Sequence, residues 1–473
     1  MITIHHLLKA VGCQPREIQD FELTGAEIDS RKIIPGSIFF ALPGEKTDGH
    51  DYISDAFRKG APLAIVQKDV SGQFPMIDLL NLENESIATM PNPPFCVRVN
   101  DSLKAMQQIA AHWRRQLDLR VIGITGSVGK SSTKELVAEV LSRKYHTYKN
   151  PGNYNNEIGL PLTLLNMGEG HQYAVLEMGF YYPGEITFLC EIALPHMGIV
   201  TNIGTVHAER AGSQEEIVKG KTELVQALPP SPEGIALLNI DDALVRQMAQ
   251  KTSAKVVTYG LKEGSDFRAF NIISKALEGI EFDIAMSDGV AHLKSPLTGL
   301  HSVMTCLRAF AAGSIAGVPV EEIRKGLAGA QSQLRMNVYR HATGAIILDD
   351  AYNATPESTL AALDLLAEVE GFHAAVLGDM LELGEYERSG HEKVGERAAK
   401  CADALIAIGP RSKTIVDTAI QNGLPQQNTF WFENAEHALD TVKKYCSKEW
   451  VLLVKGSHGM RLDRITTALK EME

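Results

Sequence analysis

The chain contains 473 residues, of which 44% are hydrophobic and 22% are charged, and its formal net charge is −12. This length predicts about three domains, and the composition is typical of a globular protein. The acidic balance disfavours a nucleic-acid-binding protein, which usually presents a basic face, but it is compatible with a local site for a small anion.

Cysteine usage and the amino-terminal stretch indicate the compartment. The six cysteines form no C-x-x-C pair, which favours buried thiols in a reducing environment. The opening MITIHHLLKAVG lacks the basic region and long apolar run of a signal peptide, and no run of 18 apolar residues predicts a membrane span. We therefore expect a cytoplasmic enzyme without membrane or nucleic-acid partners.

The first part of the chain reads as a small α/β domain over residues 1–99. Short strand-like runs, such as SIFFAL at 37–42, stand between Gly and Pro residues. Residues 71–94 are predicted to form a loop that leads to the domain boundary. Residues 100–117 carry apolar positions at helical spacing and open the next domain.

A central domain is predicted over residues 100–333. Short apolar runs at 121–125, 173–176 and 198–203 alternate with amphipathic stretches, which is typical of βαβ units and a mostly parallel sheet. Residues 255–295 contain shorter strands that we predict to be an antiparallel extension, and residues 299–313 are predicted to be helical.

A second α/β series follows from about residue 344. Its apolar runs lie at 345–348, 374–377, 404–408 and 450–454. These predict a Rossmann-like domain over residues 334–473. The expected fold class is therefore α/β, with a P-loop-type central domain between two smaller ones.

The stretch VIGITGSVGKSS at 121–132 ends like a phosphate-binding loop, but the strict pattern G-x-x-x-x-G-K-[ST] requires glycine where this chain has Ile124. Either this is a nucleotide site with a shifted glycine, or it is an ordinary strand-to-helix turn. Other polar residues also follow predicted strands. Glu177 follows the run at 173–176, and His207 lies shortly after the run at 198–203.

The carboxyl ends of parallel strands share one edge of a sheet, so these side chains are expected to converge with Lys130 and Ser131. Such a set suits ATP with a metal: backbone amides cradle the phosphates, and Lys130 neutralises charge. Ser131, Glu177 and His207 would bind Mg²⁺, although imidazole is an uncommon magnesium ligand. Taken singly, Glu177 also fits a solvated strand end and His207 fits a turn.

Nine short blocks, in order along the chain, carry a resemblance to a known family. They are DSR (29–31), DGH (48–50), TGSVGKS (125–131), GNYNNEIGLP (152–161), EMG (177–179), TNIG (201–204), DDAYNA (349–354), VLGDMLELG (376–384) and VKGSHGM (454–460). Over nearly its whole length the chain resembles the Mur ligases, whose phosphate loop has the form T-G-x-x-G-K-[ST]. The resemblance is strongest to the branch that adds D-alanyl-D-alanine to UDP-N-acetylmuramoyl-tripeptide.

This resemblance implies an ATP-dependent amide ligase of peptidoglycan precursor synthesis, and hence of cell-wall growth, cell shape and cell division. A carboxylate of the UDP-linked tripeptide would be activated by ATP as an acyl phosphate. The amine of D-alanyl-D-alanine would then attack the acyl phosphate. The expected partners are these two small substrates, and we expect the protein to be a monomer.

The resemblance also implies roles for individual residues. The catalytic set is Lys130, Asn153, Glu157, His207 and Lys221. The ATP-binding set is Thr125, Gly126, Ser127, Val128, Gly129, Lys130, Ser131, Ser132, His301, Arg335, Asp350, Tyr352 and Asn353. The uridine-substrate set is Asp29, Ser30, Arg31, Asn155 and Asn156, and the metal set is Ser131, Glu177, His207 and Lys221.

Several of these assignments have alternatives. Lys221 is the position of the family's carbamylated lysine, but a lysine on an amphipathic helix is more often simply solvated. The DDAYNA block also fits a polar turn that caps a helix beginning near Pro356, and VKGSHGM also fits a structural strand end. Ser302 and Thr305 stand where the family commonly has asparagines, which leaves the adenine contacts open.

Two other functions stay open. One is a sister ligase that adds a single amino acid to the UDP-muramoyl peptide. The other is a nucleotide-binding scaffold without catalysis.

Overall fold

The computed structural model describes residues 2–13, 20–81, 90–205, 208–329 and 336–472. Within these residues the strands form three sheets, of five, nine and six strands. None of the helices in these ranges is both long enough and apolar enough to cross a bilayer.

The first sheet has the order β1-β2-β3-β5-β4, and all its neighbouring strands are parallel. Its runs SIFF and LAIV are buried along their whole length, as expected for a parallel sheet covered on both faces. The elements are α1 (Ile4–Ala10), β1 (Gly25–Glu27), β2 (Ser37–Phe40), α2 (Ile53–Arg58), β3 (Leu63–Val66), β4 (Met76–Asp78) and β5 (Phe95–Arg98).

The second sheet has the order β14-β13-β12-β11-β10-β9-β6-β8-β7. Its strands are β6 (Arg120–Thr125), β7 (Thr147–Lys149), β8 (Tyr173–Glu177), β9 (Met197–Val200), β10 (Ile235–Asn239), β11 (Lys255–Gly260), β12 (Phe267–Ser274), β13 (Ile280–Met286) and β14 (Gly289–Ser295). Its helices are α3 (Ser102–Arg114), α4 (Lys130–Ser142), α5 (Gly159–Leu165), α6 (Glu185–Ala193), α7 (Ala208–Ala211), α8 (Gln214–Gln226), α9 (Ala243–Gln247), α10 (His301–Ile315) and α11 (Val320–Ala328).

The predicted antiparallel extension over residues 255–295 is wrong for its first strand. β11 pairs in parallel with both β10 and β12, and antiparallel pairing begins between β12 and β13. β12 begins where β11 ends, so the two strands overlap by only two residue pairs, Tyr259 with Phe267 and Gly260 with Arg268. Because the overlap is so short, the parallel pair needs no long crossover connection.

The third sheet has the order β15-β16-β20-β17-β18-β19 and is parallel except for β15 against β16. Its strands are β15 (Asn337–Arg340), β16 (Ile346–Asp350), β17 (Phe372–Gly378), β18 (Ala404–Ile408), β19 (Thr429–Phe432) and β20 (Trp450–Lys455). Its helices are α12 (Pro356–Glu368), α13 (Glu387–Cys401), α14 (Lys413–Gln421), α15 (Ala435–Lys443) and α16 (Asp463–Lys470).

Polar contacts join the first two sheets. The Asn166 amide donates to the Ala26 carbonyl and accepts from the Ala26 N–H, both at 3.0 Å, so it extends the edge of β1. Lys32 donates to the Tyr154 hydroxyl at 3.0 Å. The predicted α/β class with a mostly parallel central sheet is confirmed. Residue 99 lies between β5 and α3 and residue 333 lies outside the described residues, so the domain limits stay predictions.

Candidate active site

The phosphate loop connects β6 to α4 and needs glycine at two places. Gly126 has φ 140° and Gly129 has φ 85°, values that disfavour residues with a Cβ. A Cβ on Gly126 would also lie 1.9 Å from Oγ1 of Thr201 on the neighbouring segment. Ile124 lies within β6 and is fully buried. The chain therefore needs its glycine at residue 126, where the turn begins, and not two residues earlier at Ile124.

The segment that follows β9 holds this loop in place. Asn202 accepts from the Ser127 N–H through its carbonyl and from the Val128 N–H through its side chain, both at 2.9 Å. The Thr201 hydroxyl donates to the Val128 carbonyl at 2.7 Å. The loop is thus preorganised, and the first turn of α4 follows it directly. The first turn of a helix offers its N–H groups to ligands outside the helix, anions in particular.

A buried carboxylate stands beside that helix start. β8 neighbours β6, so Glu177 at its carboxyl end reaches the loop, and it is 2% exposed. The Ser131 hydroxyl donates to Oε2 of Glu177 at 2.6 Å, and the Asn155 amide donates to Oε1 at 2.9 Å. Hydroxyl and carboxylate oxygens are the hard ligands that Mg²⁺ prefers, so this pair fits the metal.

Two lysines converge on one carbonyl of the loop. Lys130 and Lys221 each donate to the Gly126 carbonyl, at 2.8 and 3.1 Å. Lys221 is fully buried on α8, with its nitrogen 4.7 Å from the centroid of the Phe180 ring. Burial, assisted by the charge of Lys130, holds the pKa of Lys221 well below its ordinary value. Burial therefore shifts Lys221 toward its neutral amine relative to an exposed lysine.

The loop opens into a cavity of about 750 Å³ between the second and third sheets. The cavity is lined by the starts of three helices, α4, α10 and α12, whose amino-terminal dipoles favour an anionic ligand. Central-domain lining residues are Ser127, Val128, Gly129, Lys130, Ser131, Ser132, Glu177, Asn202, Leu277, Pro296, Leu297, Thr298, His301, Ser302 and Thr305. From the third sheet and α12 come Met336, Val338, Asp350, Asn353, Thr355, Glu357, Ser358, Ala361, Ala362 and Lys455.

The opposite wall of the cavity is built around Asp350, the last residue of β16. Lys455, the last residue of β20, is 2% exposed and donates to Oδ2 of Asp350 at 2.5 Å and to the Asn353 carbonyl at 2.9 Å. Lys455 therefore orients Asp350 and the turn after it. Tyr352 in that turn is exposed, and its ring centroid is 5.7 Å from that of His458.

The predicted uridine-binding residues form a separate polar turn. Asp29 caps the turn at Ser30–Lys32, and Oδ1 of Asp29 accepts from Nε of Arg31 at 2.9 Å. This bond lowers the pKa of Asp29 to about 2. The side chain of Arg31 is 86% exposed, whereas Ser30 is buried. A diphosphate would meet an exposed guanidinium here.

The structure does not bring all of the predicted residues together. Asn153 and Glu157 are exposed and do not line the cavity. Asn156 accepts from the Gly159 N–H at 2.9 Å and so caps α5, while Thr125 donates to the Met178 carbonyl at 3.2 Å. The predicted sites His207 and Arg335 lie outside the described residues.

Two residues that support Glu177 were not predicted from the sequence. Asn150 is fully buried and bonds both the N–H and the carbonyl of Glu177, at 2.9 and 3.1 Å. Lys134, also fully buried, donates to the carbonyls of Asn150 and Gly152 at 2.8 and 3.0 Å. The available signal was spacing, because Lys134 lies one helical turn after Lys130 and Asn150 lies just before the GNYNNE block.

Comparison with known families accounts for most of the chain. Residues 22–114 match the model described as Mur ligase family, catalytic domain, and residues 124–313 match the Mur ligase middle domain. Residues 334–458 match the Mur ligase, glutamate ligase domain. A relative from Bacillus subtilis (strain 168), named UDP-N-acetylmuramoyl-tripeptide--D-alanyl-D-alanine ligase, is 34% identical over 99% of this chain and 98% of its own.

The chain belongs to the Mur ligase family. A second relative of the same name, from Synechocystis, is 35% identical over 95% of this Mur ligase and 93% of its own chain.

Solved structures agree with the architecture. A crystal structure of MurF from Acinetobacter baumannii superposes with a TM-score of 0.83 at 28% identity and covers 99% of this chain and 98% of its own. MurF from Thermotoga maritima, solved in complex with ADP, gives a TM-score of 0.76 at 26% identity and covers 94% and 97%.

Proposed function

We propose that this Mur ligase joins D-alanyl-D-alanine to UDP-N-acetylmuramoyl-tripeptide at the cost of ATP, releasing ADP and phosphate. The observation that carries this proposal is the full-length similarity to relatives named for that reaction, at 34 and 35% identity. Such a step would belong to peptidoglycan precursor synthesis. We also propose a cytoplasmic monomer, since ATP and UDP-linked sugars are cytoplasmic substrates.

The cavity supports the first half of the reaction. A carboxylate is a poor acyl donor because oxide is a poor leaving group, and transfer of the γ-phosphoryl group of ATP supplies a competent one. Lys130 and the start of α4 would hold the phosphates, and Ser131 and Glu177 would hold Mg²⁺. When bound, the metal would offset the charge that these anionic partners bring together.

Lys221 supports a proposed carbamate. Burial lowers the pKa of the Lys221 amine and so favours its nucleophilic, neutral form. Its nitrogen would attack the carbon of CO₂ and form an N–C bond while one C=O π bond opens onto oxygen, and the nitrogen would release one proton to water. The product is an anionic oxygen donor in the neighbourhood of Lys130, whose charge would help to stabilise it. His207 would help to hold a second Mg²⁺.

ATP would also contact the third sheet. Asp350 has an oriented carboxylate on the cavity wall and would accept from the ribose hydroxyls. Tyr352 and Asn353 would border the nucleotide, and Arg335 would reach the γ-phosphate from the same side. His301, at the start of α10, would border the adenine. Asp29, Ser30 and Arg31 would hold the uridine diphosphate at the far end.

Product mass tests the reaction directly. The protein is incubated with ATP, Mg²⁺, the UDP-linked tripeptide and D-alanyl-D-alanine. The expected product is heavier than the tripeptide substrate by the dipeptide minus one water. Phosphate release that is the same with and without the dipeptide contradicts the proposal.

A sister ligase that adds a single amino acid is the second candidate. A solved diaminopimelate-adding ligase resembles this chain with a TM-score of 0.53 at 17% identity, which shows a shared fold alone. Equimolar D-alanyl-D-alanine and single amino acids competing in one reaction separate the two candidates. A scaffold without catalysis would form no product with any amine, and its function would survive Lys130→Ala.

A further inference from the structure

Arg308 is a buried cation behind the phosphate loop. It lies on α10, is 4% exposed, and stands in an otherwise small and apolar run, CLRAFAAG. Nε of Arg308 donates to the Thr133 hydroxyl at 2.9 Å, and Nη2 donates to the Thr305 hydroxyl at 3.0 Å. Both acceptors are neutral groups.

Among the residues that the structure describes, Arg308 forms no ion pair; besides the two hydroxyls, its guanidinium carbon lies 5.9 Å from the centroid of the buried Tyr259 ring. A second buried arginine, Arg114, shows a different arrangement. Arg114 donates to the carbonyls of Ala193, Leu117 and Leu119 at 2.8, 3.0 and 3.2 Å. Ala193 is the last residue of α6, where the helix dipole favours a cation. Arg308 instead has two hydroxyls and an aromatic ring, and burying a cation without an anionic partner is costly.

The position of Arg308 indicates where its counter-charge comes from. A Cβ placed on Gly129 would lie 3.0 Å from Nη2 of Arg308, so the guanidinium packs directly against the turn of the phosphate loop. Thr133 connects the two, because its hydroxyl also donates to the Gly129 carbonyl at 2.6 Å. The cation is therefore held against the helix start that faces the cavity.

We propose that Arg308 is a positioning residue whose charge is compensated when a polyphosphate occupies the loop. It rests on the proposed function, in which this loop binds ATP. Arg308 fixes the left-handed turn at Gly129 from behind and adds a positive field to the amides and Lys130 in front. Its effect should grow with the number of phosphates and be absent for the nucleoside.

The same contacts explain the hydroxyl side chain at Thr305. Its hydroxyl accepts from Arg308, so this position serves the cation behind the loop as well as lining the cavity.

The test is calorimetric binding of ATP, ADP and adenosine to the full chain in the presence of Mg²⁺. Arg308→Gln removes the charge but can still donate to one hydroxyl, and Arg308→Lys keeps the charge. We expect Arg308→Gln to weaken ATP binding on the order of tenfold and ADP binding by a smaller factor, with adenosine binding unchanged. Arg308→Lys should stay within about threefold of wild type. Arg114→Gln is the matched control and should lower Tm while leaving ATP affinity unchanged.

Each other outcome has a defined meaning. Wild-type protein that does not bind ATP contradicts the proposed function itself. Given wild-type binding, unchanged ATP affinity in Arg308→Gln overturns the role of Arg308. An equal loss for ATP and adenosine overturns it as well, because the effect would then come from the adenine side. If Arg308→Gln does not fold, Arg308→Lys decides the question. A loss of affinity on the order of tenfold for both ATP and adenosine in Arg308→Lys then overturns the role of Arg308.

Discussion

The Ser131 hydroxyl, near the start of α4, donates at 2.6 Å to Oε2 of Glu177, the last residue of β8. A residue that begins a helix and a residue that ends the adjacent strand thereby form one oxygen-rich corner. Glu177 is buried, and the amide of Asn155 donates to its second carboxylate oxygen at 2.9 Å. Orientation by such partners is what makes a weak magnesium ligand set effective.

Glu177→Gln is expected to lower kcat by a factor on the order of 10²–10³, since the isosteric amide no longer offsets the cation's charge. Asn155→Ala, which keeps the carboxylate but frees its orientation, should raise the Mg²⁺ concentration for half-maximal activity about 10–100-fold. Magnesium titrations of ligation rate measure both. Glu191→Gln, an exposed position on α6, is the control. Full activity in Glu177→Gln would remove the carboxylate from the metal site.

Lys221→Met is expected to abolish ligation and yet to stabilise the protein at neutral pH. The pKa of Lys221 is lowered in the folded protein, so the unfolded chain holds this proton more tightly. The lysine therefore destabilises the fold at pH values below its ordinary pKa of 10.5. A gain of about 1 kcal/mol would raise Tm by about 2–4 °C. The advantage of Lys221→Met should shrink as pH rises toward 10.5, where both states lose the proton.

Thermal unfolding in CO₂-free buffer from neutral to alkaline pH tests this pH dependence. Lys219→Met, two residues away with its side chain 68% exposed, should change Tm little at any pH. A lower Tm for Lys221→Met at neutral pH would show that the hydrogen bond from Lys221 to the Gly126 carbonyl outweighs the cost of burying the amine.

The corner around Glu177 was predictable because a single rule governs it. Side chains that follow neighbouring parallel strands meet at one edge, so the apolar runs before Lys130 and Glu177 were sufficient to bring them together. Asp350 was expected from the resemblance alone, and in the structure it is the last residue of β16. Fold class followed from the same alternation of apolar runs and amphipathic stretches.

The supporting polar network was not predictable in this way. Asn150 bonds Glu177 27 residues away, and Arg308 bonds Thr133 175 residues away, so no local period connects either pair. The one local signal for Arg308 is a charge inside an apolar helix, and that signal does not name a partner. The parallel pairing of β11 with β12 was missed because two residue pairs leave no pattern in the sequence.

Glu382 carries backbone strain where the third sheet meets α7. Its φ is 63°, and its carboxylate pairs with Arg210 at 3.0 Å. A residue with a Cβ in this region costs roughly 1 kcal/mol, whereas a half-exposed ion pair contributes at most about 1 kcal/mol. Glu382→Gly loses the pair but relieves the strain, while Glu382→Ala loses the pair and keeps it.

Glu382→Gly should therefore be more stable than Glu382→Ala by about 1 kcal/mol, the reverse of the usual order for these residues. Urea unfolding of both variants measures the difference. Arg210→Ala removes the same ion pair without touching this backbone, but it also removes the contact of the guanidinium with the Tyr181 ring at 4.4 Å, so it should be no more stable than Glu382→Ala. Greater stability of Glu382→Ala would mean that the left-handed conformation carries no cost here.

Asp350→Asn is expected to raise the KM for ATP about tenfold, because a charged acceptor for the ribose hydroxyls is replaced by a neutral amide. 2′,3′-Dideoxy-ATP lacks those hydroxyls, so its KM should be high with wild type and change little in the variant. Asp350→Asn also removes the carboxylate partner of Lys455. Because this loss is the same whichever nucleotide is bound, comparing the two KM values isolates the contact with the ribose. Asp349→Asn is the matched control, because successive strand residues face opposite sides and Asp349 contacts Lys470 instead. An equal rise in KM for both nucleotides would mean that Asp350 supports the cavity wall without contacting the ribose.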